Sequence, residues 1–226
     1  PASVKELEEV CINIIERANS LRALVKEDEK GVMNISGGYP DVFKRAYIGY
    51  DEAAKIYPEL GGKYGIPKAV IMSVAMSYAG ISGVYFPFTS EANVNILIPD
   101  SMLPCTTTHE MAHQRGFARE DEANYIAYVT CSAHPDADFK YSGVLLALIN
   151  SMNALADYNM EKYRELNKLY SDGVRRDLQA IYYFWNQYEG PVEEISNKIN
   201  DTYLKANGQD DGVQSYGRMV DLLIAE

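Results

Sequence analysis

The chain has 226 residues, enough for one large domain or two small ones and for a sizeable core that needs no disulfide staples. Hydrophobic residues make up 47% and charged residues 23%, which excludes wholesale disorder. Against 21 Lys+Arg stand 32 Asp+Glu, a formal net charge of -11 that repels phosphate. With no basic run longer than Arg175-Arg176, nucleic-acid binding is excluded as a function class. Cys11, Cys105 and Cys131 are too widely spaced for a disulfide framework or a C-x-x-C site and read as small buried apolar residues. No run reaches the ~18 apolar residues of a membrane span.

In chain order, residues 3–30 read as an amphipathic helix. Ser3 and Glu6 form a capping box, and Val4, Leu7, Val10, Cys11, Ile14, Ile15, Leu21 and Leu24 recur at helical spacing. A second helix is expected over 41–57, between Gly37-Gly38-Tyr39-Pro40 and Pro58. The texture changes over 66–98. Lys68–Met76 is apolar and β-branched, Val84–Phe88 is aromatic, and in Asn93–Ile98 the residues Val94, Ile96 and Ile98 alternate with Asn93, Asn95 and Leu97. This predicts a small sheet of two to four strands. Helices follow over about 104–116, 120–133, 142–168, 172–188, 191–206 and 212–225, punctuated by Gly143, Gly173, Gly190-Pro191 and Asn207-Gly208. The fold class is α+β: one mostly helical domain over 1–226, with a small sheet ahead of the central helices and a helical C-terminal part from 142 on.

The chemistry is concentrated in Thr108-His109-Glu110-Met111-Ala112-His113, an H-E-x-x-H pattern in a chain with three histidines. Residues four apart share a helix face, so both imidazoles can reach one ion. Glu110 follows the first of them, where a carboxylate can take a proton from a water at the metal. A catalytic zinc needs a third protein ligand and one open position. Gly116 can end the first helix in a left-handed turn, after which a new helix begins near Glu120. Glu120 is the expected third ligand, with Asn124 on the same face to orient a ligating histidine. Glu122 is the alternative; it lies about 200° round the helix from Glu120, so the two cannot both ligate.

H-E-x-x-H followed by Glu120-Asp121-Glu122-Ala123-Asn124, an E-x-x-A-N sequence, resembles the gluzincin clan of zinc metallopeptidases. The resemblance implies a zincin-like fold, zinc as cofactor, His109, His113 and Glu120 as ligands, Glu110 as general base and Asn124 beside the ligands. Gly116 also fits the start of the metzincin signature, but Arg119 stands where that clan has its third ligand and cannot bind zinc. Over nearly the whole chain, Phe86-Pro87-Phe88-Thr89-Ser90-Glu91-Ala92-Asn93-Val94-Asn95, the run from His109 to Asn124 and the tail Asn207–Arg218 resemble a bacterial family of unknown function. Members of that family are usually found behind N-terminal transmembrane helices and are treated as candidate zinc metallopeptidases. This implies a parent protein anchored in a bacterial membrane by helices upstream of Pro1, the present chain being a soluble fragment.

In gluzincins a strand ahead of the zinc helix pairs with the peptide substrate. Val94, Asn95 and Ile96, within Val94–Ile98, are the expected substrate strand, the alternative being an interior strand with no free edge. Tyr141, Tyr216 and His134 are the candidates for a donor to a developing oxyanion. The expected function is peptide or protein hydrolysis by a zinc-activated water with Glu110 as general base. The alternative is a membrane-anchored zinc-containing sensor or binding module with little or no turnover.

Overall fold

In the computed structural model, which describes residues 4–206 and 218–225, helix α1 spans Val4–Arg22 and buries Leu7, Cys11, Ile14, Ile15 and Ala18. The expected continuation to residue 30 does not form. Asp28 accepts hydrogen bonds from the Lys30 and Val32 amides, Gly31 takes a left-handed φ of 72°, and Glu27 bridges to Met33. An aspartate that offers its own carboxylate to nearby amides competes with helix propagation, and here it wins. Helix α2 (Gly38–Ala53) then buries Val42, Phe43, Ala46, Gly49, Tyr50 and Ala53.

The sheet has three short strands, β1 (Lys68–Ala69), β2 (Gly83–Phe86) and β3 (Glu91–Val94), in the order β1-β3-β2. β1 runs parallel to β3, and β2 is antiparallel to it. Two expectations are corrected. The apolar run Lys68–Met76 is a strand only at its start, because Ser73–Tyr78 forms helix α3 and Ile71 is fully exposed. The alternating run Asn93–Ile98 stops being a strand at Val94. The Asn95 side chain donates to Ser77 Oγ and to the Ile81 carbonyl, and its Oδ1 accepts from the Leu97 amide, which turns the chain.

Helix α4 (Leu103–Gln114) lies under the sheet and against α2, α5 (Glu120–Ala133) and α6 (Ala137–Tyr158). The segment expected as one helix over 142–168 starts earlier and breaks once. α6 begins at Ala137, and Gly143 does not punctuate it. A Cβ at Gly143 would lie 2.5 Å from Cys131 Cβ, so the glycine serves the close crossing of α5 and α6. Asn159, at φ -152° and ψ 85°, ends α6, and its side chain caps α7 (Met160–Asn167) by accepting from the Lys162 amide. Helices α8 (Asp172–Asn186), α9 (Pro191–Ala206) and α10 (Met219–Ala225) complete the chain. One hydrophobic core joins α1, α2, α4, α5, α6 and α10, and all three cysteines are buried and unpaired within it. This is a mostly helical α+β domain with a small mixed sheet. Among the described residues no helix is long and apolar enough to cross a membrane. Ser3, Tyr216 and residues 207–217 of the tail lie outside the described residues.

Candidate metal centre

Helix α4 is buried on most of its surface, so His109 and His113 emerge on its one partly open stripe, with side chains 13% and 11% exposed. The turn after α4 brings the next helix back onto them. Gly116 sits at φ 92°, the Phe117 amide donates to the Ala112 carbonyl and the Gly116 amide to that of His113, which is a Schellman ending. α5 therefore starts at Glu120 beside α4, and the Glu120 carboxylate faces the two imidazoles. His109 Nε2 and His113 Nε2 are 3.1 Å apart, and Glu120 Oε2 is 3.1 Å from the first and 3.7 Å from the second.

These separations test a metal directly. A tetrahedral zinc ion with bonds of about 2.0–2.1 Å sets its ligand atoms about 3.3–3.4 Å apart. The circle through the three observed atoms has a radius of about 1.9 Å, shorter than such a bond, so one ion reaches all three. The donor set fits zinc. His109, His113 and Glu120 are the one group of three or more His, Cys, Asp or Glu ligand atoms placed to share an ion among the described residues, and three protein ligands leave a tetrahedral ion one open position. The turn also orients a ligand: His113 Nδ1 is 2.7 Å from the Phe117 carbonyl, so Nδ1 donates there and Nε2 is left as the ligand atom.

Glu110 lies next to this triangle and differs from Glu120. It is 4% exposed, and its Oε2 has no hydrogen-bond partner among the described residues. Burial pushes its carboxyl up, His109 and His113 pull it down and Glu120 pushes it up again, to about 7. Burial alone would raise Glu120 and lower His113. Hydrogen bonds and charge from His109 and His113 outweigh that at Glu120, taking it to about 2, and the Glu120 hydrogen bond, the charges of Glu110 and Glu120 and the Phe117 carbonyl outweigh it at His113, taking it to about 9.

The remaining candidates are placed as follows. Glu122 is exposed and 3.7 Å from Arg119 Nε, away from the imidazoles. Asn124 is buried one turn beyond Glu120. Tyr141 is not an oxyanion donor, because it is fully buried and its hydroxyl donates to Asp177 Oδ2 at 2.7 Å. His134 is not one either: it is buried against Phe139, 3.2 Å from the Arg45 carbonyl, and accepts from the Asp136 amide. The substrate-strand expectation is also corrected. β3 is the central strand, Val94 and Asn95 are fully buried, and Ile96 lies beyond the strand, so Val94–Ile96 offers no free edge.

The sheet's edge strands are β1, only two residues long, and β2, whose Val84–Phe86 the sequence marked as part of the sheet without marking it as an edge. The alternation of β2 puts Gly83 and Tyr85 on the α4 side, with the Tyr85 ring 6.3 Å from that of His113. The sequence Gly83-Val84-Tyr85-Phe86 carries no apolar-polar alternation that could have found them, since the apolar Val84 and Phe86 are the exposed pair. The Phe117 carbonyl has no signal either, since any residue supplies one.

A family model described as "Protein of unknown function (DUF3810)" matches residues 1–224, and the chain belongs to that family. No curated protein matches, and no solved structure matches.

Proposed function

We propose that this member of a family of unknown function is a zinc-dependent peptide hydrolase, with His109, His113 and Glu120 as ligands and Glu110 as general base. A zinc ion so held polarises a carbonyl and lowers the pKa of water toward ~7. Glu110 removes a proton from the attacking water and returns it to the leaving amine. Burial, which disfavours the charged carboxylate, makes Glu110 a stronger base than an exposed carboxylate. His113 is kept in the ligating tautomer by the Phe117 carbonyl. The edge of β2 supplies main-chain groups for an extended peptide, a mode of recognition that carries little sequence preference.

The observation that carries the reading is the pairing of a three-atom triangle that one ion can span with a buried carboxylate whose Oε2 has no partner among the described residues. A purely structural metal site has no use for such a group and is more often closed by four Cys or His ligands.

The test is metal analysis of purified wild type and Glu110→Gln, alongside cleavage of casein and a peptide library. One zinc per chain in both proteins, with cleavage by the wild type alone, is the expected result. Zinc in both with no cleavage by either would replace the hydrolase by a zinc-containing binding module. Absence of bound zinc after dialysis against it would remove both.

A further inference from the structure

β2 crosses α4 at Gly83, and the position has no room for a side chain. A Cβ there would lie 2.7 Å from Glu110 Cγ and 2.8 Å from Cδ, and closer still to Oε1. Real Cβ atoms essentially never come within 3.0 Å of another heavy atom, so one of the two groups must move. Glu110 is buried, and its carboxylate cannot yield without leaving its place beside His109 and His113. Gly83 is not among the residues with positive φ, so the position uses the missing Cβ and not glycine's conformational freedom.

A second observation concerns the main chain. The Asn95 amide donates to the Ser82 carbonyl, which makes 82 and 95 a hydrogen-bonded pair of the antiparallel ladder. The next pair, Gly83 with Val94, is then a non-hydrogen-bonded one, and the N–H and C=O of Gly83 turn away from β3. β2 is an edge strand, so they turn away from the sheet, on the side where no strand pairs with it among the described residues. The residue whose side-chain slot is filled by Glu110 is therefore also one whose main chain is left unpaired with β3, at an edge of the sheet.

We infer that Gly83 is a positioning residue for Glu110. Its missing side chain lets the carboxylate occupy a side-chain slot of the edge strand, about one strand spacing, ~4.8 Å, from the line along which a paired peptide would run. The inference rests on the hydrolase reading above and deepens it: peptide binding and proton transfer are set to one another by a single strand residue. A side chain at position 83 displaces Glu110 while leaving His109, His113 and Glu120 to hold metal as before.

Two double-mutant cycles test this, one of them independent of activity. In the metal-free protein, Gly83→Ala lowers the unfolding midpoint by roughly 3–10 °C in the wild-type background and by less than about 2 °C in the Glu110→Ala background, where the slot is vacated. The second cycle reads kinetics. Gly83→Ala keeps one zinc per chain and KM within about twofold but lowers kcat about 10–100-fold, the scale of a misplaced catalytic group. Added to Glu110→Asp, whose shorter side chain makes room, the same substitution costs no more than about threefold.

Equal midpoint shifts in the two backgrounds overturn the inference. So does a coupled midpoint with unchanged kcat, because the carboxylate would then have moved without consequence. If Gly83→Ala alone does not fold, the Gly83→Ala/Glu110→Ala protein decides: folding of the double variant supports the contact, and failure of both overturns it. Zinc-loaded wild type that cleaves nothing, with midpoints still coupled, takes down the hydrolase reading while the contact between Gly83 and Glu110 stands.

Discussion

Among the described residues, the buried charges around Asp177 and those around Glu110 are finished differently. Around Asp177, which is fully buried, both carboxylate oxygens are taken up. Arg22 Nε and the Tyr141 hydroxyl donate to Oδ2 at 2.6 and 2.7 Å, and the Met33 amide donates to Oδ1 at 2.8 Å. Arg22 in turn donates to the Gly31 carbonyl, so the cluster ties α1, the loop after it, α6 and α8 together. Around Glu110 the accounting stays open, with one buried oxygen unmatched among the described residues and three potential ligand atoms within reach of a common point. A closed network holds a fold. An open one, kept buried at a cost, is what a reactive site looks like.

Neutralising one carboxylate in each cluster is the strongest way to break this contrast. Glu110→Gln is expected to lower kcat by about 10²–10⁴-fold, the worth of a general base, with zinc retained and an unfolding midpoint no lower than that of wild type. Asp177→Ala should do the reverse. It removes the nearer carboxylate of a buried guanidinium that keeps only Glu27, at 3.3 Å, among the described carboxylates, which costs up to about 3–5 kcal/mol, and on a chain of this size that lowers the midpoint by up to roughly 6–20 °C. Similar losses of stability from both substitutions, measured by calorimetry, would erase the distinction.

Metal sharpens the same contrast, with an effect of similar or smaller size. Zinc at a thousand times its Kd stabilises a protein that binds it only when folded by about 4.1 kcal/mol. That gain should appear as a raised midpoint in wild type, vanish with EDTA, and be lost in His109→Ala, His113→Ala and Glu120→Ala. Glu122→Ala should keep it, since Glu122 faces Arg119 and solvent. A zinc-induced shift that survives Glu120→Ala and disappears in Glu122→Ala would reassign the third ligand.

The open cluster was far more legible in the sequence than the closed one. His109 and His113 are four apart, Gly116 signals the reversal, and Glu120 opens the next helix, so helix geometry alone brings the three together within a dozen residues. The closed cluster joins Arg22 to Asp177 across 155 positions, and no periodicity connects them. The same gap explains the failures at Tyr141 and His134. Each is one polar residue among many, and its burial against α8 or Phe139 is decided by distant packing. The sheet was legible as a region and not as an order. The alternation around Val94 marks a strand, but which strand keeps a free edge depends on β1 arriving from another part of the chain.

Two smaller effects probe how completely the structural side is satisfied. Tyr141→Phe removes one donor from a buried carboxylate and should cost about 1.5–3 kcal/mol without affecting zinc content. His134 should show in the pH dependence of stability. Its ring is buried against Phe139, Nδ1 accepts from the Asp136 amide and Nε2 is 3.2 Å from the Arg45 carbonyl, an arrangement that suits the neutral ring. Burial lowers its pKa, with the Arg45 guanidinium acting the same way, against the Arg45 carbonyl and the charges of Asp136 and Asp138. A histidine whose folded pKa is depressed is protonated more readily in the unfolded chain. Its contribution is therefore fully present above about pH 6.5 and is lost as pH falls through that value toward the folded pKa. Wild type should lose stability between pH 7 and 5, and His134→Gln should show a shallower loss over the same interval, from a lower starting midpoint. Equal slopes in the two proteins would mean that the ring accepts its proton in the folded state as easily as in water.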